Sequence, residues 1–511
     1  MENSTPVLQL KNITKRFGDI TANEGVCLNV YRGEILALLG ENGSGKTTLM
    51  NMISGIYYPD EGEILVDGKP VSISKPEDAF NLGIGMIHQH FKLVDVLTAV
   101  ENIVLGLKEK GGLDLKKATA RIKEICDLYG FEIDPNQKIY NMSVSQKQTV
   151  EIVKVLYRKA DILILDEPTA VLTPQEADKL FAVLRNMKKN GKSVIIITHK
   201  MNEVLEISDR VTILRKGHYI CDMVTKDANV QELTDAMVGH SVELNIERTE
   251  PKDPQPRIVV ENLTVKSQDG VLKLKNVSFE ARTGEILGIA GIAGSGQKEL
   301  LEAIAGLQSA ESGHIYFVEE DGKREELLGM DPLKIAAKGV ALSFVPEDRL
   351  GMGLVGNMNL ADNMMLRSFR NGKGLFTDRK APYSLAEQVI EDLEVNTPGV
   401  LTPVRKLSGG NVQKILVGRE IANAPMVLLT AYAVRGLDIN SSYIIYDLLN
   451  KQKERGVAIV FVGEDLDVLL ELCDRILVLC DGEVSGIVDG RGAAKNEVGL
   501  MMTRVGGGET E

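Results

Sequence analysis

The residues best suited to chemistry form one glycine-rich loop, Gly40-Glu41-Asn42-Gly43-Ser44-Gly45-Lys46-Thr47-Thr48. It fits the pattern G-x-x-x-x-G-K-[ST], whose glycines let backbone N–H groups close around phosphate oxygens. The lysine brings a point charge to the outer phosphates, and the first hydroxyl is a ligand for Mg²⁺. An apolar run, Ile35 to Leu39, precedes the loop, and a helical pattern from Lys46 to Ser54 follows it. The loop therefore opens onto a helix N-terminus, whose partial positive charge favours anions. A second constellation stands at Ile162-Leu163-Ile164-Leu165-Asp166-Glu167-Pro168. A buried strand ending in two adjacent carboxylates offers one to a metal and leaves the other for an attacking water. Asp166 is expected as the metal partner and Glu167 as the general base.

Positioning these groups takes alternating strands and helices, and the chain spells that pattern twice. Gly33-Glu34-Ile35-Leu36 and the loop after it are echoed by Gly284-Glu285-Ile286-Leu287 and its loop, 251 positions later. Asp209-Arg210 returns as Asp474-Arg475, 265 positions on, so the second copy has gained residues in between, partly in the charged stretch Glu319 to Glu326. Continuous apolar runs such as Leu163 to Leu165 and Val194 to Ile197 are what strands buried on both faces of a parallel sheet require. The expected fold class is α/β, with two tandem P-loop domains over residues 1–245 and 258–503. Between them, residues 246–257 carry three prolines among charges, which leaves nothing to bury and reads as a linker. Residues 504–511 read as a flexible tail.

Composition excludes several classes. At 511 residues the chain is too long for one core. It is 44 % hydrophobic and 26 % charged, the balance of a folded globular protein. A net charge of −13 lacks the footprint of a duplex-binding protein, so no nucleic-acid partner is expected. The apolar runs are strand-sized and fall short of the ~20 residues that span a bilayer. Any membrane role is expected to be peripheral, and the polar start, Met1 to Pro6, does not read as a signal peptide. The five cysteines (Cys27, Cys126, Cys221, Cys473 and Cys480) lack metal-ligand spacing and read as free thiols.

With these motifs in their order, the chain resembles the ATP-binding cassette ATPases over nearly its whole length, twice. Gln89 matches that family's Q-loop, His199 its switch histidine, and Phe17, after Lys15-Arg16, the aromatic that stacks on adenine. The second copy departs from the pattern. Its loop reads Gly291-Ile-Ala-Gly-Ser-Gly296-Gln297-Lys298, so an amide replaces the lysine and an ammonium the Mg²⁺-binding hydroxyl. Ala431 and Tyr432 stand for Asp166 and Glu167, Glu464 for His199 and Glu347 for Gln89, and no aromatic stands near Lys266. This half is expected not to hydrolyse ATP. The signature segment inverts the pattern: Leu407-Ser408-Gly409-Gly410-Asn411 is intact, whereas Met142-Ser143-Val144-Ser145 has both glycine positions filled. Likewise Asp438 is kept where the first copy has Thr173.

In that family two cassettes face each other head to tail, with nucleotide between one P-loop and the other copy's signature. The resemblance thus implies an internal pseudo-dimer with one competent composite site, joining Lys46, Asp166, Glu167 and His199 to Ser408, Gly409, Gly410, Asn411 and Asp438. Tandem cassettes with a degenerate second half look like the ATP-binding subunits of bacterial simple-sugar and nucleoside importers. Met86-Ile-His-Gln-His-Phe91 and Leu97-Thr-Ala-Val-Glu-Asn-Ile103 resemble the nucleoside branch most, while Val345-Pro-Glu-Asp-Arg349 is common to both. The resemblance implies ATP and Mg²⁺ as cofactors, two transmembrane permease subunits, an extracytoplasmic substrate-binding protein, and a peripheral place on the cytoplasmic side of the cell membrane. Import of a ribose-, galactose- or xylose-type sugar is the alternative. A soluble cassette protein acting on ribosomes or DNA is the minor one, disfavoured by one site, a short linker and negative charge.

Overall fold

The computed structural model describes residues 5–18, 20–88, 91–107, 114–170, 172–239, 246–267, 270–292, 294–344, 353–366, 368–369, 378–421, 425–435, 437–463 and 465–503. The chain divides into two compact units, Met1–Glu243 and Leu244–Glu511. The expected positions Gln89, Glu347, Glu464 and the tail 504–511 lie outside the described residues.

In the first unit, β3 (Ile35–Leu39) has every residue buried, because it is central in a parallel sheet covered on both faces. It pairs with β8 (Ser193–Ile197) on one side and β9 (Arg210–Arg215) on the other, both in parallel. β7 (Ile162–Asp166), β6 (Ile84–Ile87) and the antiparallel β10 (His218–Val224) complete the order β10-β9-β3-β8-β7-β6. A separate antiparallel sheet, β2-β1-β4-β5, is built from β1 (Leu8–Phe17), β2 (Ile20–Val30), β4 (Glu61–Val66) and β5 (Lys69–Val71). Leu36 and Leu38 of β3 pack with Leu8, Leu10 and Ile13 of β1 and with the helix Lys46–Ile53. Ile35 enters a second core with Leu163, Leu165 and the helices beyond them. Alternate residues of one strand thus join two cores.

The second unit repeats this plan. Its antiparallel sheet contains β11 (Pro256–Lys266), β12 (Leu272–Arg282), β14 (Ser312–Val318) and β15 (Arg324–Glu326) in the order β12-β11-β14-β15. The larger sheet runs β16 (Val340–Phe344), β17 (Val427–Ala431), β18 (Ala458–Val462), β13 (Ile286–Gly291), β19 (Arg475–Cys480), β20 (Glu483–Asp489). Part of the extra length sits where the charged stretch suggested: the hairpin link is Asp67-Gly68 in the first unit and 319–323 in the second.

One carboxylate per unit fastens the central strand. Asp209 accepts the Ile35 amide at 2.9 Å and the Lys188 ammonium at 2.5 Å. Asp474 does the same for Ile286 at 2.9 Å and Lys453 at 2.7 Å. The second pair is buried, at 2 % and 7 % side-chain exposure, while the first is at 36 % and 31 %. The buried Lys453 ammonium has a further acceptor in the Thr249 carbonyl, at 2.5 Å. This corrects the expectation that residues 246–257 bury nothing. Ile246 packs against the second unit's core, and Arg248 donates to the carbonyls of Leu470, at 3.0 Å, and Cys473. A desolvated ammonium needs its hydrogen bonds completed, and the proline-rich segment supplies a backbone oxygen for it.

Removing one partner from a buried pair costs far more than removing one from an exposed pair. Asp474→Ala should lower the opening free energy of β13 and β19 by about 3 kcal/mol, and Asp209→Ala that of β3 and β9 by about 1 kcal/mol. Native-state hydrogen exchange reads each unit separately.

Candidate active site

The phosphate-binding pattern lies where β3 ends. Gly45 is left-handed, at φ +92°, and caps the helix Lys46–Ile53. A Cβ at Gly40 would collide with the Leu214 carbonyl and the Ser44 side chain, so only glycine leaves the loop closed. Lys46 is buried and donates to the carbonyls of Gly40 at 2.6 Å and Glu41 at 2.9 Å. Burial lowers its ammonium below the usual lysine range, against the opposing pull of Glu167, Asp166 and Glu41. The Ser44 hydroxyl is buried without a hydrogen-bond partner among the described residues, a donor left over for a ligand. Thr47 follows on the exposed side of the helix start, with Thr48 half-buried beside it.

β7 delivers the two carboxylates. Burial, reinforced by neighbouring Glu167, raises the Asp166 carboxyl to about 6, against the pull of Lys46. Glu167 sits in a left-handed turn at φ +47°, unusual for a residue with a side chain, and its amide donates to the Ile197 carbonyl at 2.8 Å. That turn aims its carboxylate at His199, whose Nδ1 lies 2.9 Å from Oε1. With Glu167 ionised, the proton of this hydrogen bond resides on Nδ1. The bond is the main reason that the Glu167 carboxyl lies below its ordinary range. The two adjacent carboxyls are therefore shifted in opposite directions, and their residues suit different tasks.

Three supports escaped the sequence reading. Thr169, buried two residues after Glu167, donates to Glu203 at 2.5 Å, and Glu203 also pairs with Lys200 at 3.2 Å. Gln148 donates to the Pro168 carbonyl at 2.7 Å and ties the helix Val144–Tyr157 to the same turn. Tyr57 meets Phe17 edge to face, with ring centroids 5.1 Å apart. Nothing in sequence spacing marked these residues, because each acts through a neighbour that only folding supplies.

The second unit keeps the shape of this site without its groups. Gly296 is left-handed at φ +100° and caps the helix Gln297–Ile304. Buried Gln297 turns back to the Ile292 carbonyl at 3.1 Å, and Lys298 lies 3.7 Å from Glu302. Tyr432 takes φ +58° and donates its amide to Val462 at 3.0 Å, the turn that Glu167 makes. Ala431 is fully buried beneath it. In the signature segment, Ser408 accepts from the Asn411 side chain at 2.9 Å at the start of the helix Gly409–Ile421. Gly410 would place a Cβ at no closer than 3.6 Å from Leu437, so its absence of side chain is not demanded by packing. In the first unit Ser143 and Gln146 cap each other's backbone, and Ser145 lies in the first turn. Asp438 caps the helix Ile439–Glu454 through Ser441, as Thr173 caps Pro174–Lys189.

Among the described residues no three His, Cys, Asp or Glu side chains gather as a metal cluster. A cation here would rely on Thr47, Asp166 and oxygens of the ligand, hard donors that fit Mg²⁺ better than a softer ion. A positive charge would also relieve the repulsion between Asp166 and Glu167.

The raised Asp166 carboxyl has a consequence for stability. Stability is intact well below pH 4, where this group is neutral folded or unfolded, and is lost as pH rises from there through about 6. Asp166→Asn should therefore stabilise the ligand-free protein by about 2 kcal/mol at pH 7.5 and by less than about 1 kcal/mol at pH 4. Urea unfolding at the two pH values measures it.

The ABC transporter family profile matches residues 24–170 and 274–430, once in each unit. The chain is 43 % identical to a nucleoside import ATP-binding protein of Lactococcus lactis subsp. cremoris, over 100 % of both chains. It is 41 % identical to a guanosine import ATP-binding protein of Bacillus subtilis, over 97 % of both. A glucose import ATP-binding protein of Haloferax volcanii shares 39 %, over 99 % of this chain and 96 % of that one. The family profile found once in each unit, with full-length identity to import ATP-binding proteins, makes this chain a member of the ABC transporter family, an ATPase built from two tandem cassettes.

Proposed function

We propose that the chain is the ATP-hydrolysing subunit of an importer for nucleosides, peripheral on the cytoplasmic side of the cell membrane. Two transmembrane permeases and an extracytoplasmic substrate-binding protein would complete it. The observation that carries the cargo is the full-length identity of 43 % to a nucleoside importer's ATP-binding protein. The glucose importer's relative, at 39 %, supports a simple sugar as the second reading.

Hydrolysis is assigned to the first P-loop. Lys46 and the loop amides neutralise the triphosphate, with Ser44 as a further donor. Thr47, Asp166 and Gln89 would hold Mg²⁺, which when bound supplies charge neutralisation at the phosphate oxygens. Glu167, ionised and held by His199, orients the attacking water and accepts its proton. His199 then steadies the departing phosphate. Phe17 receives the adenine. The distribution of losses supports completion of this site by Ser408, Gly409, Gly410, Asn411 and Asp438, the groups the second copy kept while losing its own lysine and carboxylates. ATP binding would draw the two copies together and hydrolysis release them.

Uptake of labelled nucleosides and simple sugars should be compared in cells carrying the chain or its Glu167→Gln variant. Loss of nucleoside uptake alone is expected. Loss of sugar uptake instead would move the cargo to the second reading, and no change in either would overturn both, leaving a cargo outside the two classes or no role in import.

The Thr169–Glu203 hydrogen bond joins the turn carrying Glu167 to the helix Met201–Ile207 that follows His199. At the matching places of the second copy stand Val434 and Val468, both packed on its core. Glu203 is thus a positioning residue for the Glu167–His199 pair. Glu203→Ala should lower kcat roughly tenfold and leave the KM for ATP within about twofold, with Glu203→Gln recovering part of the loss. Steady-state ATPase kinetics decide it.

A further inference from the structure

Phe17 ends β1 and is 42 % exposed, and Tyr57, 38 % exposed, packs against it in a T-shaped pair. The contact is framed by polar bonds between the same two segments. Asp60 accepts the Arg16 amide at 2.6 Å and pairs with Lys15 at 2.9 Å, while its own amide donates to the Thr14 carbonyl at 2.9 Å. The Lys15 ammonium lies 5.4 Å from the Phe17 ring centre. Phe17 thereby packs against Tyr57 with the Lys15 ammonium over its ring, while part of its surface stays open.

Tyr57 is also continuous with the phosphate loop. The helix Lys46–Ile53 has eight residues, about 12 Å of rise, and the amides of Ile56 and Tyr57 close its end on the Asn51 carbonyl at 2.8 and 3.1 Å. One rigid segment therefore begins at the lysine for the phosphates and ends at the ring that braces Phe17.

The second unit is an internal control. Asn12 and Asn262 are both left-handed, at φ +51° and +52°, and Thr14 and Thr264 hold equal places opposite Glu61 and Ser312. This register puts Ser267 at the place of Phe17. Gly55 and Gly306 end the paired helices, which puts Gln308 at the place of Tyr57. Gln308 donates to the Lys266 carbonyl at 3.0 Å. The link between the segments survives as a hydrogen bond, and both rings are gone from the copy that also lacks the phosphate-binding lysine.

We propose that Tyr57 is a positioning residue for nucleotide recognition, holding the Phe17 ring in the pose that stacks on the purine base and so setting the affinity for ATP. This rests on Phe17 being the base platform. An edge-to-face pair contributes energy beyond its buried area, enough for a change of roughly three- to tenfold when the ring is lost.

The test is a double-mutant cycle on the full chain, read as kcat and KM for ATP. Tyr57→Ala should raise KM three- to tenfold with kcat within twofold, Tyr57→Phe should restore the low KM, and Tyr57→Leu, which keeps apolar volume without a ring, should not. Phe17→Ala should raise KM at least as far, and adding Tyr57→Ala to it should raise KM no further. A Tyr57→Ala effect of equal size in the Phe17→Ala background would overturn the proposal, since Tyr57 would then act apart from that ring. So would a Tyr57→Leu enzyme with wild-type KM, while Phe17→Ala still weakened binding and kept the platform. A wild-type KM in Phe17→Ala itself would remove the platform and the proposal together.

Discussion

A parallel strand buried on both faces is the constraint from which the rest of each unit follows. β3 and β13 have no exposed edge or face to adjust, so their ends are held in position by strands on either side. An aspartate from the neighbouring loop locks the strand's first amide and a helix lysine together. The turn after such a strand has a fixed origin, and a left-handed glycine then starts a helix whose N-terminus favours an anion. The carboxylate-bearing strand β7 lies in the same sheet, one strand removed from β3. Site precision is thus inherited from sheet register.

That scaffold carries two chemically different sites on equal backbones. The turn that aims Glu167 is strained for any side chain, and Tyr432 adopts it too, with the same amide-to-carbonyl bond. The strain is maintained by the sheet and persists where it no longer serves a carboxylate. What changed in the second copy is the polar lining. Gln297, bonded to the Ile292 carbonyl, stands for the lysine, and two valines that each pack on the core stand for Thr169 and Glu203. Once no charge needs holding there, packing alone satisfies the fold.

In the first copy the site departs from what is best for stability. Asp166 is a half-buried carboxylate beside another, and Lys46 is a buried ammonium whose burial opposes its charge. The Lys46 charge opposes the shift at Asp166 and the carboxylates oppose the shift at Lys46, an arrangement that a bound triphosphate and its cation would complete. The half-exposed His199 is the member with access to solvent, and it polarises Glu167 without being buried itself.

The sequence by itself determined the repeat, the α/β class and both phosphate loops, because these are written in short contiguous patterns. Gly40 to Thr47 needs no distant partner to be legible, nor does the replacement of Lys46's counterpart by Gln297. Tertiary structure alone decided what depends on chain segments far apart in sequence. It brought Tyr57 to Phe17 and Glu203 to Thr169, and it gave the proline-rich segment after residue 246 a buried lysine to satisfy. Lys453 lies about two hundred residues from Thr249, and no local pattern records that an acceptor for its ammonium must be found there. The physical reason is one of range: backbone turns and helix starts are encoded by neighbours along the chain. The pairing of buried polar groups is encoded by whatever the fold brings alongside.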